Sequence, residues 1–291
     1  MPPHNPARPD PPDVPIREED FRRLSEFLYR RTGMTFGESK RYFVERRLRD
    51  RIAATGSAAF PDYFARLLVD PAEVEQLINA FTVNETYFYR EDHQFRCLTS
   101  DLLGQITAGK RRGATIRIWS VPCSTGEEPY SLAIWLLETW AQVDDWDIEI
   151  VGSDIDTAAL RAAEAGIFSE RALMRLSRQL VGKYFNRLDE GRYGLAEALR
   201  GSVRFSHVNV LDRDAMARHG SFDVIFCRNM LIYFDEKSRR EAADNLYDCL
   251  VPGGFVCLGH TESMSRISPL FKVAKFTDAI VYRKPEGGSH A

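Results

Sequence analysis

The stretch IRIWSVPCSTGEEPYSLAIWLLETW at residues 116–140 decides the fold. An apolar β-type run, IRIWSV, leads into a turn of small residues and then into an apolar pattern with helical spacing. Proline is tolerated at the first position of a helix, so we expect the helix to run from Pro129 to about Trp140. The sequence therefore predicts a strand, a tight turn and a helix, as in the first unit of a parallel α/β sheet.

Further β-type runs alternate with helical patterns through the rest of the chain. They read IEIVGSD, VRFSHVNV, FDVIFC, GFVCLGH, KVAKF and AIVYR. Such alternation predicts an α/β domain with a doubly wound parallel sheet, which we expect to span residues 115–285. Residues 177–204 do not fit the repeat, and their glycines predict a small inserted β-subdomain.

The chain before this domain has a different pattern. Between residues 17 and 80, apolar residues recur at helical spacing, and glycine and proline breaks divide them into about four helices. These residues therefore predict a small all-helical N-terminal domain, and residues 81–114 are expected to link it to the α/β domain. Residues 1–16 hold seven of the 14 prolines and predict a flexible leader. Residues 286–291 are expected to form a flexible tail.

The composition of the 291 residues is that of a globular protein, with 44% hydrophobic and 28% charged residues. No apolar run approaches the roughly 20 residues that a membrane span needs, so we expect no membrane insertion. The five cysteines form no CxxC pair, which argues against a disulfide framework and a zinc site. We therefore expect a cytoplasmic protein without a metal, and we take it to be a monomer.

Acidic residues follow the first two predicted strands of the sheet. The turn at 122–129 lacks the G-x-G-x-x-G pattern and carries Glu127 and Glu128, which disfavour a pyrophosphate and suit a cation. The second strand ends in Asp154, where an acidic side chain binds ribose hydroxyls. A nucleoside with a positively charged tail, such as S-adenosylmethionine, fits this pattern. The alternative roles are a helix N-cap for Asp154 and compensation of the helix dipole for the glutamates.

Five segments resemble the CheR-type chemoreceptor glutamate O-methyltransferases, and the resemblance covers nearly everything after the leader. They are FTVNETYFYRE at 81–91, WSVPCSTGEEPYSLA at 119–133, GSDID at 152–156, FDVIFCRNMLIYF at 222–234 and PGGFVCLGHTESM at 252–264. The resemblance implies a Rossmann-like domain that uses S-adenosylmethionine and releases S-adenosylhomocysteine. The implied substrate is a set of glutamate side chains on the cytoplasmic domain of a chemoreceptor.

The resemblance also implies which residues form the site. Those that match the cofactor-binding positions of the family are Asn84, Thr86, Arg90, Glu128, Asp154, Asn209, Val210, Arg228 and Asn229. Residues 81–114 are thus expected to contain the first cofactor-site segment as well as the linker. Arg90 and Tyr233 match positions closest to the reacting groups and are the candidate catalytic residues. The alternative role for Tyr233 is an aromatic core residue whose hydroxyl is hydrogen-bonded.

A basic helix is predicted between residues 40 and 52. Its apolar residues form one stripe, and residues 1–52 hold 12 Lys and Arg against nine Asp and Glu. The candidates for recognition of an acidic receptor are Lys40, Arg46, Arg47, Arg49 and Arg51. The alternative is an ordinary solvated helix surface.

The inserted subdomain bears on how the receptor is recognised, and two other classes of function are considered as alternatives to receptor methylation. Residues 186–194 lack the Gly-x-Gly loop with which some family members hold a receptor C-terminal peptide, so we expect recognition without that peptide. A nucleic-acid methyltransferase is one alternative, but the helical domain is only mildly basic, and we expect no nucleic-acid partner. A non-catalytic adaptor that binds receptors or S-adenosylmethionine is the other, and the presence of Arg90, Asp154, Arg228 and Tyr233 argues against it.

Overall fold

The computed structural model describes residues 16–189 and 191–287. The predicted leader, apart from Ile16, therefore lies outside the described residues, as do residues 288–291 of the predicted tail. The chain divides into two compact units, the second of which begins at Val83.

The first unit contains four α-helices among its described residues. They are α1 (Glu18–Thr32), α2 (Arg41–Thr55), α3 (Phe60–Leu67) and α4 (Pro71–Phe81). Apolar residues three and four positions apart face one core, in which Leu24, Leu48 and Leu77 are completely buried. Asp70 begins α4 by accepting hydrogen bonds from the backbone N–H groups of Ala72 and Glu73. The predicted all-helical domain is confirmed.

The described residues of the second unit form ten strands and eight α-helices. The strands are β1 (Thr115–Ser120), β2 (Asp147–Asp154), β3 (Ile167–Ser169), β4 (Phe185–Asp189), β5 (Arg192–Leu195), β6 (Val203–His207), β7 (Phe222–Cys227), β8 (Leu250–Leu258), β9 (Lys272–Lys275) and β10 (Ile280–Arg283). The helices are α5 (His93–Cys97), α6 (Leu103–Ala108), α7 (Glu127–Thr139), α8 (Thr157–Ala165), α9 (Arg178–Tyr184), α10 (Glu197–Arg200), α11 (Arg213–Ala217) and α12 (Glu236–Asp248). None of the described helices is long and apolar enough to cross a membrane.

Seven strands form the main sheet in the order β6-β2-β1-β7-β8-β10-β9. The strands from β6 to β8 are parallel to their neighbours, whereas β10 is antiparallel to both β8 and β9. The chain leaves β1 towards β2 and β6 and then returns to the other side of β1 as β7. This reversal creates a switch point between β1 and β7, and ligands of open α/β sheets bind outside the carboxyl ends of the strands at such a point. The predicted doubly wound fold is confirmed.

A second, antiparallel sheet has the order β3-β5-β4. The sequence predicted a small β-subdomain within 177–204, whereas the structure adds β3, whose Ile167 pairs with Gly194 of β5. β3 has only three residues and directly follows α8, so periodicity gave no signal for it.

Residues 83–114 belong to the second unit, which corrects the linker part of the prediction that residues 81–114 form a linker and the first cofactor-site segment. A helical stretch runs from His93 to Ala108, because a π-helical turn at Leu98–Leu102 joins α5 to α6. Phe95 and Leu103 are buried in the core of the main sheet. The apolar spacing of this stretch is helical, which is why it packs on the sheet instead of forming an open connection.

Candidate active site at the carboxyl ends of the strands

The turn after β1 brings two glutamates to the start of α7 and points them in different directions. Gly126 has a φ of 94°, and a Cβ atom there would lie 2.9 Å from the Ala163 Cβ, so a glycine is needed. The Glu127 carboxylate accepts a hydrogen bond from the Thr125 hydroxyl at 2.6 Å. The Glu128 carboxylate accepts one from the hydroxyl of Ser120, the last residue of β1, at 2.8 Å. Glu128 therefore faces the end of the strand.

Arg228, which directly follows β7, joins this turn to the segment around residue 90. Its side chain is only 2% exposed, and it donates a hydrogen bond to Glu128 at 2.7 Å. It also forms an ion pair with Glu91 at 3.2 Å and donates to the carbonyl oxygen of Arg90 at 2.6 Å. Burial opposes ionisation of Glu91, but Arg228 and His260 outweigh it and lower the pKa of Glu91. One buried cation thus holds two carboxylates at the switch point.

Asp154 ends β2 and is almost completely buried. Its carboxylate accepts hydrogen bonds from the backbone N–H groups of Ser124 at 2.7 Å and Asp156 at 2.9 Å. Burial raises the pKa of Asp154 to about 6, although these N–H groups act in the opposite direction. The N-cap of α8 is Asp156, which accepts from Ala158 and Ala159. Asp154 therefore does not have the capping role that was its alternative.

Asn84 connects the turns that follow β1 and β2. Its side-chain amide donates to Asp156 at 2.7 Å, and its side-chain oxygen accepts from the Ser124 hydroxyl at 2.8 Å. Thr86 is half-buried in the same segment. The segment from 84 to 91 therefore lies along the edge at which the strands end.

Arg90 and Tyr233 are linked by electrostatics, because the charge of Arg90 acts on the hydroxyl of Tyr233. The Arg90 guanidinium donates to the carbonyl oxygen of Glu85 at 2.6 Å. Tyr233 lies in a 3₁₀ turn at Leu231–Tyr233 and is half-buried, so it is not an ordinary core aromatic residue. Burial raises the pKa of its hydroxyl, while the positive charge of Arg90 lowers it.

The remaining predicted cofactor residues follow β6 and β7. Asn209 accepts a hydrogen bond from the backbone N–H of Leu211 at 3.1 Å. Val210 is buried, and its carbonyl oxygen accepts from the Asn245 side chain at 2.9 Å. Asn229 has a left-handed backbone with a φ of 59°. Of the nine predicted cofactor residues, three lie in the segment before β1, Glu128 lies in the first turn of α7, and Asp154 is the last residue of β2. The other four lie in the loops that follow β6 and β7.

Backbone strain is concentrated in the same segments. Four non-glycine residues have a positive φ within the described part of the chain, and they are Tyr89, Glu91, Ser124 and Asn229. Such conformations persist only where surrounding contacts fix them, and they are enriched at functional sites. Glu91, Ser124 and Asp156 are not among the predicted site residues, although NETYFYRE, STGEE and GSDID contain them.

The five basic residues selected on or beside α2 do not form a single surface. Arg51 pairs at 2.6 Å with Glu73, which is 4% exposed and also accepts from the Tyr63 hydroxyl. Arg49 pairs with Glu45 at 3.3 Å, and Arg47 is half-buried with its guanidinium 4.1 Å from the centre of the Phe43 ring.

Lys40 and Arg46, in contrast, are exposed to solvent. Of the five residues, these two are therefore exposed, whereas Arg47, Arg49 and Arg51 are half-buried.

The strand order and the site together define a class of protein. An acidic side chain at the switch point and a second one at the end of β2 fit a nucleoside that carries a cation. Carboxylates accept from ribose hydroxyls and attract sulfonium and ammonium groups. These features define a Rossmann-like S-adenosylmethionine-dependent methyltransferase, and the residues present fit that cofactor.

Comparisons with known proteins support this class of enzyme and assign the chain to one family within it. Residues 84–280 match the CheR methyltransferase SAM-binding domain, and residues 19–82 match the CheR methyltransferase all-alpha domain. The chain therefore belongs to the CheR methyltransferase family, and S-adenosylmethionine is its cofactor. The predicted family is confirmed.

Several curated relatives extend over most of this chain. Chemotaxis protein methyltransferase 2 of Vibrio cholerae is 46% identical over 278 residues, which are 95% of this chain and 96% of that protein. Chemotaxis protein methyltransferase 2 of Pseudomonas aeruginosa is 37% identical and covers 87% of this chain and 90% of its own length. Chemotaxis protein methyltransferase of Klebsiella aerogenes is also 37% identical, and the match covers 88% of this chain and 87% of that protein.

Proposed function

We propose that this enzyme transfers methyl groups to glutamate side chains on the cytoplasmic helices of a chemoreceptor. The products are glutamate methyl esters and S-adenosylhomocysteine. The names of the relatives, which are chemotaxis protein methyltransferases, support this pathway. The enzyme acts as a monomer in the cytoplasm, where these receptor helices lie.

The nine residues at the strand ends hold the cofactor in this proposal. Asp154 binds the ribose hydroxyls, and Asn209 and Val210 lie beside the adenine. Glu128 faces the charged tail, since its carboxylate lies at the switch point and carries a buried negative charge shared with Arg228. Asn84, Thr86 and Arg90 border the cofactor from the segment before β1, and Asn229 does so from the loop after β7.

The reaction needs alignment more than it needs a base. A glutamate carboxylate is already ionised near neutral pH, so one of its oxygens attacks the methyl carbon without prior loss of a proton. The cofactor supplies a methyl group on a positively charged sulfur, and the carbon–sulfur bond breaks as the ester bond forms. The observation that carries this proposal is the buried Arg228 side chain, which donates to Glu128 at 2.7 Å and to the carbonyl oxygen of Arg90 at 2.6 Å at the strand ends. Arg90 binds the substrate carboxylate, and the Tyr233 hydroxyl orients it.

The first unit recognises the receptor in this proposal. Lys40 and Arg46 are exposed, and their charges complement an acidic helix bundle. Arg47, Arg49 and Arg51 contribute less to binding, because each of them is half-buried.

The small sheet supports recognition without a receptor C-terminal pentapeptide. β4 ends at Asp189 and β5 begins at Arg192, so only two residues join these strands. No additional loop is available there to close over a peptide. Isothermal titration with a receptor C-terminal pentapeptide is expected to show no tight binding, and submicromolar binding would contradict this part of the proposal.

An assay with methyl-labelled S-adenosylmethionine and receptor cytoplasmic fragments tests the reaction. We expect label on the receptor that mild alkali releases as methanol, since methyl esters are labile to base. Arg90→Ala is expected to abolish most of the transfer and Tyr233→Phe to reduce it, while both variants retain the fold. Arg213→Ala, which removes an exposed ion pair with Asp248, is the matched control.

Four results of this assay would contradict the proposal or part of it. Label that alkali does not release would exclude an ester. Cofactor binding without any labelled receptor would favour a non-catalytic adaptor. Label on added nucleic acid would favour a nucleic-acid methyltransferase. Normal transfer by a folded Arg90→Ala variant would exclude the role of that residue.

A further inference from the structure

Glu262 lies in the loop after β8 and contacts the loop after β7. Its Oε2 atom accepts hydrogen bonds from the backbone N–H groups of Asn229 at 2.8 Å and Gly259 at 2.9 Å. These two residues follow adjacent strands of the main sheet, each at its carboxyl end. One carboxylate oxygen therefore bridges two neighbouring loops of the candidate site.

The close approach of the loops leaves no space for a side chain at Gly259. A Cβ atom there would lie 2.9 Å from the Glu262 Oε2 and 2.7 Å from the side-chain nitrogen of Asn229. Asn229 itself has a left-handed backbone, which a non-glycine residue adopts only where contacts fix it. The hydrogen bond from its N–H to Glu262 is such a contact.

The same carboxylate faces the segment that ends at Tyr233. Burial raises the pKa of Glu262, whereas the backbone N–H groups of Asn229, Gly259, Leu231 and Ile232 lower it. The negative charge of Glu262 in turn contributes to the raised pKa of Tyr233. Glu262 is therefore close to both ends of the segment from 229 to 233.

We infer that Glu262 is a positioning residue for methyl transfer. Its bridge between the loops holds Asn229 against the cofactor and keeps Tyr233 in place beside the substrate carboxylate. Glu262 acts through these residues and does not contact the reacting atoms. The inference rests on the proposed roles of Asn229 and Tyr233.

Two substitutions at Glu262 test the inference. Glu262→Ala removes both hydrogen bonds, so we expect the KM for S-adenosylmethionine to rise roughly tenfold to hundredfold and kcat to fall. Glu262→Gln keeps one oxygen that accepts from the N–H groups of Asn229 and Gly259 but replaces the other oxygen by an NH2 donor, so we expect a KM between those of wild type and Glu262→Ala. Glu236→Gln is the control, because this exposed carboxylate lines the same surface depression and is expected to change KM by less than about twofold.

A spectroscopic measurement reports on the bridge itself. In an amide nuclear magnetic resonance spectrum, the N–H protons of Asn229 and Gly259 are expected to resonate downfield, since each donates to a carboxylate. Glu262→Gln is expected to shift both signals upfield while the rest of the spectrum stays unchanged.

The outcomes separate this inference from the proposed function. The inference would be overturned if Glu262→Ala left both KM and kcat unchanged. It would also be overturned if Glu262→Ala only lowered the amount of folded, active enzyme and left the KM for S-adenosylmethionine unchanged. Asp154→Ala serves as a reference for the cofactor site. Weak binding of S-adenosylhomocysteine by Asp154→Ala, together with normal kinetics of Glu262→Ala, would refute only the inference. Normal binding of S-adenosylhomocysteine by both Asp154→Ala and Glu262→Ala would refute the proposed cofactor site as well as the inference.

Discussion

The strand-end site of the second unit and the α2 surface of the first unit use charge in opposite ways. At the strand ends, Arg228 is 2% exposed and is surrounded by carboxylates and a carbonyl oxygen. Beside and on α2, Lys40 and Arg46 project into solvent. A buried charge is tolerated only with partners, so it fixes geometry, whereas an exposed charge acts at a distance and is screened by salt. In the proposed function, the first arrangement binds a small cofactor and the second binds an acidic protein surface.

The largest effect is expected from removing the buried cation of the site. Arg228→Ala leaves Glu91 and Glu128 close together without a counterion, so we expect the free energy of unfolding to fall by about 3–5 kcal/mol. Binding of S-adenosylhomocysteine should also be lost. Chemical denaturation and calorimetry measure the two quantities, and Arg213→Ala, at an exposed ion pair, should cost less than about 1 kcal/mol. Equal losses in the two variants would contradict the special role of Arg228.

A smaller loss of stability is expected from Arg51, the half-buried arginine of α2 that pairs with the buried Glu73. Arg51→Ala removes hydrogen bonds to the buried Glu73, so we expect a loss of about 1.5–3 kcal/mol. Arg66→Ala is the matched control, because its pair with Asp70 is on the surface. Thermal unfolding compares them. A variant of Arg51 that is as stable as wild type but fails to bind receptor would show that Arg51 belongs to the recognition surface after all.

The next prediction concerns pH and the cofactor. Asp154 has a pKa of about 6 in the folded protein, against 3.8 for an exposed aspartate, so it is protonated below pH 6 and ionised above. Ribose hydroxyls donate to the ionised form, and we therefore expect affinity for S-adenosylhomocysteine to fall roughly tenfold between pH 7 and pH 5. Asp154→Asn should bind more weakly at pH 7 and lose much of this dependence. Calorimetry over this pH range checks both statements, and an unchanged pH dependence in the variant would assign the titration to another group.

The same titration has an effect on stability. Because the folded protein holds a proton on Asp154 between pH 3.8 and about 6 while the unfolded chain does not, this residue destabilises the fold as pH rises through that interval. Asp154→Asn removes this contribution. The burial that prepares the carboxylate for a ligand therefore costs stability in the unbound protein.

The sequence predicted the fold better than it predicted the surroundings of single charges. Regular apolar spacing gave the four helices of the first unit and the parallel strands of the second, because burial follows such spacing. It did not reveal β3, whose three residues are too few to show a repeating apolar pattern. It also did not reveal the helical stretch at 93–108, which lies within the predicted linker.

The sequence failed to predict the contacts of charged residues for a different reason. Motifs placed Glu128, Asp154 and Arg228 correctly at the carboxyl ends of the strands, since their positions follow from the strand order. Whether a charge faces water or a partner depends on residues distant in the chain. Arg51 meets Glu73, and Glu262 meets Asn229, through contacts that no local pattern contains.

The central claim is that the cofactor is bound by the second unit and the receptor by exposed charges of the first. The most direct test measures the receptor KM and the affinity for S-adenosylhomocysteine on one preparation of the Lys40→Glu/Arg46→Glu double variant. We predict that the receptor KM rises roughly threefold to tenfold at low salt, that added salt reduces this difference, and that cofactor affinity is unchanged. An unchanged receptor KM, or a parallel loss of cofactor affinity in a folded variant, would contradict the claim.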